Sequence, residues 1–234
     1  KNKKVTHLDV HSKKLRYSVP YLQLKKIINC RITNIRRIAK YVIIDFENSR
    51  SIIIHLGMSG RLKITKILFN LKKHDHLVFK FSNKLMLIYN DPRKFGFVDT
   101  IESKFLNNIS YIKRLGVDAL DKNLSREYLY NRFHKSDVVI KQLLLNQHIV
   151  SGIGNIYASE ILYDAKISPL RKGCSLKKYQ IGTIIKSIRK ILIKAIKHGG
   201  STINDYVSPD GTLGNFQNNF RVYGREGYKI NDCI

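Results

Sequence analysis

Two short loops carry the residue types most suited to chemistry on a polyanion. His55-Leu56-Gly57-Met58-Ser59-Gly60 follows an apolar run directly, and its glycines around a Met-Ser pair predict a tight turn. Such a turn either tucks Met58 into the core or pushes it outward as an apolar probe able to wedge into a base stack. Asn90-Asp91-Pro92-Arg93-Lys94-Phe95-Gly96 is the second loop: Asn-Asp-Pro opens a bend and Gly96 closes it. Arg93 offers a planar donor fork and Phe95 a stacking face. The plain alternative is a surface turn with Asp91 ion-paired to Arg93.

Three further groups bear on the same chemistry. Lys40 ends Arg36-Arg37-Ile38-Ala39-Lys40, just before an apolar strand. Desolvation there would weaken its hold on a proton and make it a usable acid or base, whereas a solvated strand end would leave it an ordinary lysine. His74-Asp75-His76 puts two imidazoles on one face of an extended segment. No third ligand has matching spacing, so one histidine on a phosphate and one in structure is preferred to a metal site. Gly152-Ile153-Gly154-Asn155 is a glycine-rich turn opening a helix, where free N–H groups suit a phosphate, though close helix packing would also select small residues.

These residues must be positioned by two different kinds of element. Tyr41 to Phe46 and Ser51 to Leu56 are β-branched, apolar runs around a short polar connection, and Leu77 to Phe81 with Leu85 to Tyr89 repeat the pattern. Runs apolar nearly throughout suit strands buried between two sheets, so the first half is expected to be a β-sandwich. The second half reads as helical. Ser125 is a plausible cap for a helix to about His134, and Asp137 for one bearing Ile140, Leu143 and Leu144. Asn155 opens a third, and Thr183 to His198 carries an isoleucine stripe with lysines and arginine largely off it. The fold class expected is α+β. Its parts are a sandwich over 1–116, a helical domain over 117–214 and a small C-terminal piece over 215–234.

Composition narrows the partner. Among 234 residues, 43 Lys plus Arg oppose 17 Asp plus Glu, a formal charge of +26 that favours a polyanion. Richness in Ile, Asn, Lys, Tyr and Phe also fits AT-rich coding, which would inflate the lysine count without any role. Cys30, Cys174 and Cys233 are scattered and odd in number, so no disulfide framework is implied. With no long apolar run and no apolar region after the basic start, a cytoplasmic protein without membrane partners is expected.

Set in order, RRIAKYVIIDF, IIIHLGMSGRL, KHDH, YNDPRKFG, LGVDAL, IKQLLLNQHIVSGIGNIYASEILYDAKISPL, HGGSTINDY and VYGREG resemble the bacterial formamidopyrimidine-DNA glycosylase family. The resemblance implies a β-sandwich, a helical domain with a helix–two-turns–helix motif, and a small zinc finger. It also implies a monomeric repair enzyme for oxidised purines and abasic sites in duplex DNA. Such an enzyme flips the damaged nucleotide out of the stack, because its glycosidic carbon is shielded inside. In the family an N-terminal proline amine attacks that carbon. A terminal amine suits the task because its pKa of about 8 leaves more of it unprotonated than lysine's roughly 10.4. An adjacent glutamate serves as acid and base.

By position, the resemblance makes Lys40 the proton donor in β-elimination and Met58, Arg93 and Phe95 the residues that fill the gap left by the flipped base. It makes His74, Arg93 and Asn155 DNA contacts. Met58, Arg93 and Phe95 are therefore expected side by side, with Lys40 nearby. Departures are equally specific. The family's proline–glutamate opening is not in this sequence, so the stretch alone is expected to lack glycosylase catalysis. Ile230 stands at the first zinc-ligand position and Cys233 at the next, so zinc, the family's cofactor, is not expected here. Asp137 stands where the family has a DNA-binding lysine. The rival reading is a non-catalytic protein that recognises kinked or abasic DNA, and a basic RNA-binding protein is the more remote one.

Overall fold

The computed structural model describes residues 2–66, 70–201 and 214–228, which divide into two compact units. The first comprises residues 2–113 with Ser201 and Gly214, and the second residues 114–200 with 215–228. The first boundary thus falls before Arg114, slightly ahead of the expected one. Among the described residues no helix is long and apolar enough to cross a membrane.

The first unit is built on eight strands: β1 (Val5–Val10), β2 (Ile32–Ile38), β3 (Tyr41–Phe46), β4 (Arg50–His55), β5 (Arg61–Lys66), β6 (Asp75–Phe81), β7 (Leu85–Asn90) and β8 (Phe97–Glu102). They form two four-stranded antiparallel sheets, ordered β1-β6-β7-β5 and β2-β3-β4-β8. Val5, Leu8, Leu77, Phe79, Leu87 and Tyr89 of one sheet share a core with Ile32, Ile44, Phe46, Ile52, Ile54 and Val98 of the other. Both expected hairpins are present, because β-branched runs fit a pleated surface buried on both sides. Two short helices, α1 (Tyr21–Leu24) and α2 (Ser110–Lys113), complete this unit.

The second unit contains α3 (Arg126–Phe133), α4 (Ile140–Leu145), α5 (Asn155–Asp164) and α6 (Lys178–Lys197). A short parallel pair, β9 (Val117–Asp118) with β10 (Val150–Ser151), joins its start to the turn before α5. Ser125 caps α3 as expected, its hydroxyl accepting from Tyr128 N at 3.1 Å. Three expectations are corrected. Asp137 caps nothing; α4 starts after Val139, and Asp137 instead meets Lys172 Nζ at 3.3 Å. Helix α6 begins at Lys178 rather than Thr183, because Gln180 accepts from Lys177 N at 3.0 Å and starts the helix a turn earlier. Asn215–Tyr228 do not form a separate piece, since Phe216 and Phe220 lie in the helical core with Leu129, Ile161 and Ile188.

Candidate functional site

Strand register decides where the chemical residues land. In the β2-β3-β4-β8 sheet, Tyr41 pairs with His55 and His55 with Phe97, so three connections leave the same end. They are the Ala39-Lys40 turn, the Leu56–Gly60 loop and the Asp91–Gly96 loop. In the other sheet Asn90 pairs with both Arg61 and Asp75, which brings His74 to that end as well. Lys40, Met58, His74, Arg93 and Phe95 are therefore gathered by pairing alone, although they span more than fifty positions of chain.

Asp91 locks the two loops together. Its carboxylate is fully buried and accepts from Ser59 Oγ at 2.6 Å, Gly96 N at 2.9 Å and Tyr89 OH at 3.2 Å. Ser59 Oγ in turn accepts from Arg93 N at 3.2 Å. The alternative of a surface turn with an Asp91–Arg93 ion pair is set aside: the carboxylate points inward to neutral donors, where a buried polar group must find its partners. Glycine is required on both sides of this lock. A Cβ on Gly96 would fall 2.1 Å from Tyr89 OH and 2.3 Å from His55 O, and one on Gly57, which holds φ +62°, would fall 2.6 Å from Gly96 N.

With the backbone fixed, the side chains project. Met58 is 70% exposed and Phe95 44% exposed, and the Arg93 guanidinium lies over the Phe95 ring at 4.5 Å. The alternative of Met58 in the core is thus set aside. Large apolar groups held outward on a stiff loop cost free energy in water, which a partner surface would recover.

The two histidines of His74-Asp75-His76 part company. His76 is buried, with Nε2 on the Asp91 carbonyl at 2.8 Å and Nδ1 on Ser12 Oγ at 2.9 Å. A carbonyl can only accept, so Nε2 carries the proton and Nδ1 accepts from Ser12. Desolvation, with Lys94 and His74 adding to it, lowers its pKa and keeps it neutral. His74 is half-exposed and available to a ligand. Among the described residues no group of three or more His, Cys, Asp or Glu could hold a metal ion, and Ile230 and Cys233 lie outside the described residues.

Lys40 occupies the second position of the two-residue turn between β2 and β3, after Ala39 at φ +51°. Although the residue as a whole is exposed, the protein around its ammonium desolvates it and lowers its pKa. Beneath the turn lies an aromatic group that was not singled out from sequence. The Tyr41 ring sits 5.3 Å from His55 and 5.5 Å from Tyr111, and Phe97 stacks on His55 at 5.5 Å. Tyr111 donates to Asp99 at 2.8 Å. His55 has its pKa lowered by desolvation and by the nearby Arg16 and Lys40 charges, and its Nδ1 accepts from Gly57 N at 3.1 Å. His55 is thus the hinge between the Lys40 turn and the Met58 loop. Its position at the end of an apolar run, two residues before a glycine, was the only signal in the sequence.

Asn155 lies in the second unit as the first residue of α5, exposed, after Gly152 at φ +99°. Gln147 moulds that turn: its Oε1 accepts from Gly152 N, and its Nε2 donates to Leu145 O and Ile153 O, each at 2.9 Å. Further along α5, the buried Glu160 accepts from the backbone N–H groups of Arg221, Val222 and Tyr223 at 2.9–3.1 Å. Neither Gln147 nor Glu160 was picked out from the sequence.

Residues 1–98 match the family described as Formamidopyrimidine-DNA glycosylase N-terminal domain, and residues 115–207 match the Formamidopyrimidine-DNA glycosylase H2TH domain. The formamidopyrimidine-DNA glycosylases of Rickettsia canadensis and Rickettsia felis are each 41% identical over 229 residues. That covers 98% of this chain, and 84% and 83% of those proteins respectively. Among solved structures, a Lactococcus lactis FPG mutant in complex with a Fapy-dG containing DNA superposes with a TM-score of 0.91, at 33% identity over 99% of this chain and 85% of that one. The Lactococcus lactis Fpg in complex with an abasic site containing DNA gives 0.90 at the same identity and coverage.

Proposed function

This chain belongs to the formamidopyrimidine-DNA glycosylase family, and from that membership we propose how its own residues meet damaged DNA. The family's activity in base-excision repair, as a DNA glycosylase and abasic-site lyase, is the activity of this protein. Its ligands are duplexes carrying oxidised purines or abasic sites, the classes of DNA bound by the Lactococcus lactis relatives.

Extruding a nucleotide costs a few kcal/mol of stacking and pairing, least where the base is damaged or missing. Met58 enters the gap, and its unbranched, polarizable side chain adapts to the irregular space. Phe95 stacks beside the orphaned partner base, and Arg93, steadied over the Phe95 ring, keeps N–H donors for that base or a phosphate. His74 and Asn155 contact phosphates. Lys40, its ammonium weakened by desolvation, passes a proton during elimination at the sugar. The observation that carries this reading is the Asp91 lock, which fixes the backbone of both loops while their apolar tips stay exposed.

The family's zinc finger is a separate matter. Isoleucine has no donor atom, so with Ile230 at the first ligand position we propose that zinc is not held there. Stoichiometric zinc in the purified protein would contradict this.

The direct test is fluorescence anisotropy with a duplex bearing a tetrahydrofuran abasic analogue beside the intact duplex. Preference for the analogue, with affinity that falls steeply with salt, is the expected result. Equal affinity for both duplexes would overturn the site assignment. Replacing Lys40→Gln should leave that preference in place, since recognition of the gap needs no proton transfer.

A further inference from the structure

A further loop of the first unit reaches the sandwich end that carries the lesion loops, and the lesion-binding reading does not use it. Strand β1 runs out beside the start of β6, with Val10 opposite Leu77. The chain then folds into a loop closed by Val19 N on Lys13 O at 2.9 Å. Leu15 and Val19 sink into the sandwich core and hold the loop from either side of its tip. The tip, Arg16-Tyr17-Ser18, stays outside, and Arg16 N donates to Gly96 O at 3.2 Å, which ties it to the Asp91 loop. Like Met58, Tyr17 is a large side chain held out into water, 55% exposed, on backbone anchored at both sides.

The surroundings of the tip indicate what it would hold. Residues 11–20 carry Lys13, Lys14 and Arg16 and contain no Asp or Glu. Among the described residues the Arg16 guanidinium meets no carboxylate; it lies 5.5 Å from the centre of the Tyr17 ring. Tyr17 meets Phe97 edge to face at 5.3 Å, and Phe97 stacks on His55, so Tyr17 is the most exposed ring of the aromatic group beneath Lys40. Arg16 and Lys40 both act on His55 as repelling charges, and Arg16 acts on Tyr41 as well. Arg16 therefore stands in the neighbourhood of Lys40, the residue assigned to the lesion sugar. The carboxylate that acts on the same imidazole, Asp91, is committed to its lock. A phosphate between the two cations would relieve their repulsion.

We propose that the Arg16-Tyr17 tip is a subsite for the damaged strand, which rests on the lesion sugar lying at Lys40: Arg16 takes the phosphate next to that sugar, and the Tyr17 ring stacks on the nucleotide beyond it. The damaged strand is favoured over its complement because Arg16 shares His55 with Lys40, whereas Arg93 is paired with the Phe95 ring. A planar donor fork beside an exposed ring suits a backbone with a base attached, since guanidinium pairs with phosphate and every base has a face to stack on. Such a grip is independent of sequence, and it leaves recognition of the gap to Met58 and Phe95.

The test measures anisotropy of the full chain on the tetrahydrofuran duplex and on two shortened forms. In these the damaged strand ends at the tetrahydrofuran residue, on one side or the other, while its complement stays complete. Tyr17→Ala should weaken binding to the complete duplex by about five- to fiftyfold, the loss usual for one stacked ring, and Tyr17→Phe by less than about twofold. Arg16→Gln should lower the salt slope by about 0.9, one phosphate contact, a change that a purely structural role would not produce. Both penalties should vanish on one shortened form and persist on the other. Native-like binding of the complete duplex by Tyr17→Ala would overturn the proposal, as would equal losses for Tyr17→Phe and Tyr17→Ala. Penalties that survive on both shortened forms would place the tip on the complementary strand and also overturn it. If the native chain itself showed no preference for the tetrahydrofuran duplex, the lesion reading would fail and the subsite with it. Unaltered variants with that preference intact would remove the subsite alone.

Discussion

Asp91 and Glu160 are both buried carboxylates that no salt bridge among the described residues neutralises, and each ties distant chain together, yet they do so in opposite ways. Asp91 collects two hydroxyls and one backbone N–H from loops whose tips point outward. Glu160 collects backbone N–H groups only, from a segment some sixty residues further on, and holds it against the helix that Asn155 opens. The first arrangement fixes a probe; the second fixes a scaffold. A carboxylate with several N–H or O–H donors can stay buried without a cation, because charge-assisted hydrogen bonds offset its desolvation.

The largest effect should come from breaking the first lock. Asp91→Ala leaves Ser59, Tyr89 and Gly96 with unmatched donors and is expected to destabilise the first unit by about 3 kcal/mol. Asp91→Asn keeps one acceptor oxygen and should cost less. Chemical denaturation of the full chain measures both. If Asp91→Ala left stability and lesion preference untouched, the loops would be held by their glycines and not by the carboxylate.

Glu160→Ala should act more locally. We expect a loss of about 2 kcal/mol, read as faster hydrogen exchange at the amides of Arg221, Val222 and Tyr223 while the sandwich core keeps its protection. Equal loss in both units would show that the two carboxylates are less independent than this comparison holds.

The same contrast explains what could be read without coordinates. The Asp91 lock is local in chain to its motif: Asn-Asp-Pro and the flanking glycines mark a special turn, so the loop, its exposed Arg93 and Phe95 and the sandwich beneath were foreseeable. The direction of the Asp91 side chain was not, because an acid two residues from an arginine looks like a surface pair. Glu160 gave no signal at all. It sits in an ordinary helix, and its partners are backbone groups of residues 221–223, which carry no residue-type signature. The start of α6 failed for a related reason, since a cap built from Lys177 and Gln180 is not among the residue types that usually announce one. Strand pairing, in contrast, follows from alternating and β-branched runs, and pairing alone gathers Lys40, Met58, His74, Arg93 and Phe95.

Acidity should separate the two regions in order. His76 and His55 in the first unit have lowered pKa values, each chiefly through desolvation, so the unfolded chain binds protons more readily than the folded one. Their contribution is complete above about pH 6.5, the ordinary histidine value, and is lost as pH falls below it. Asp164, in the second unit, is pushed up by desolvation but held lower overall by hydrogen bonds from Lys190 and Ser187. Its contribution persists to the ordinary carboxylate range near pH 4 and is lost only below that. Exchange or near-ultraviolet spectra followed from pH 7 to 4 should show the Asp91 loops loosening before the contact between α5 and α6. The reverse order would mean that the histidines stay comfortably protonated in the fold.

The smallest effect on stability should belong to the side chain with the most functional consequence. Met58 is largely exposed, so Met58→Ala removes little buried surface and should shift the unfolding midpoint within the roughly 0.5 kcal/mol usual for surface changes. On the abasic-analogue duplex the same variant gives up the contacts made inside the stack, worth about 1–2 kcal/mol by analogy with stacking side chains, or roughly five- to thirtyfold in affinity. Affinity for the intact duplex should hardly change, since no gap is open there. A uniform loss on both duplexes would make Met58 a general contact and not a wedge. A loss of stability would return it to the core, and the Asp91 lock would then have nothing to present but Arg93 and Phe95.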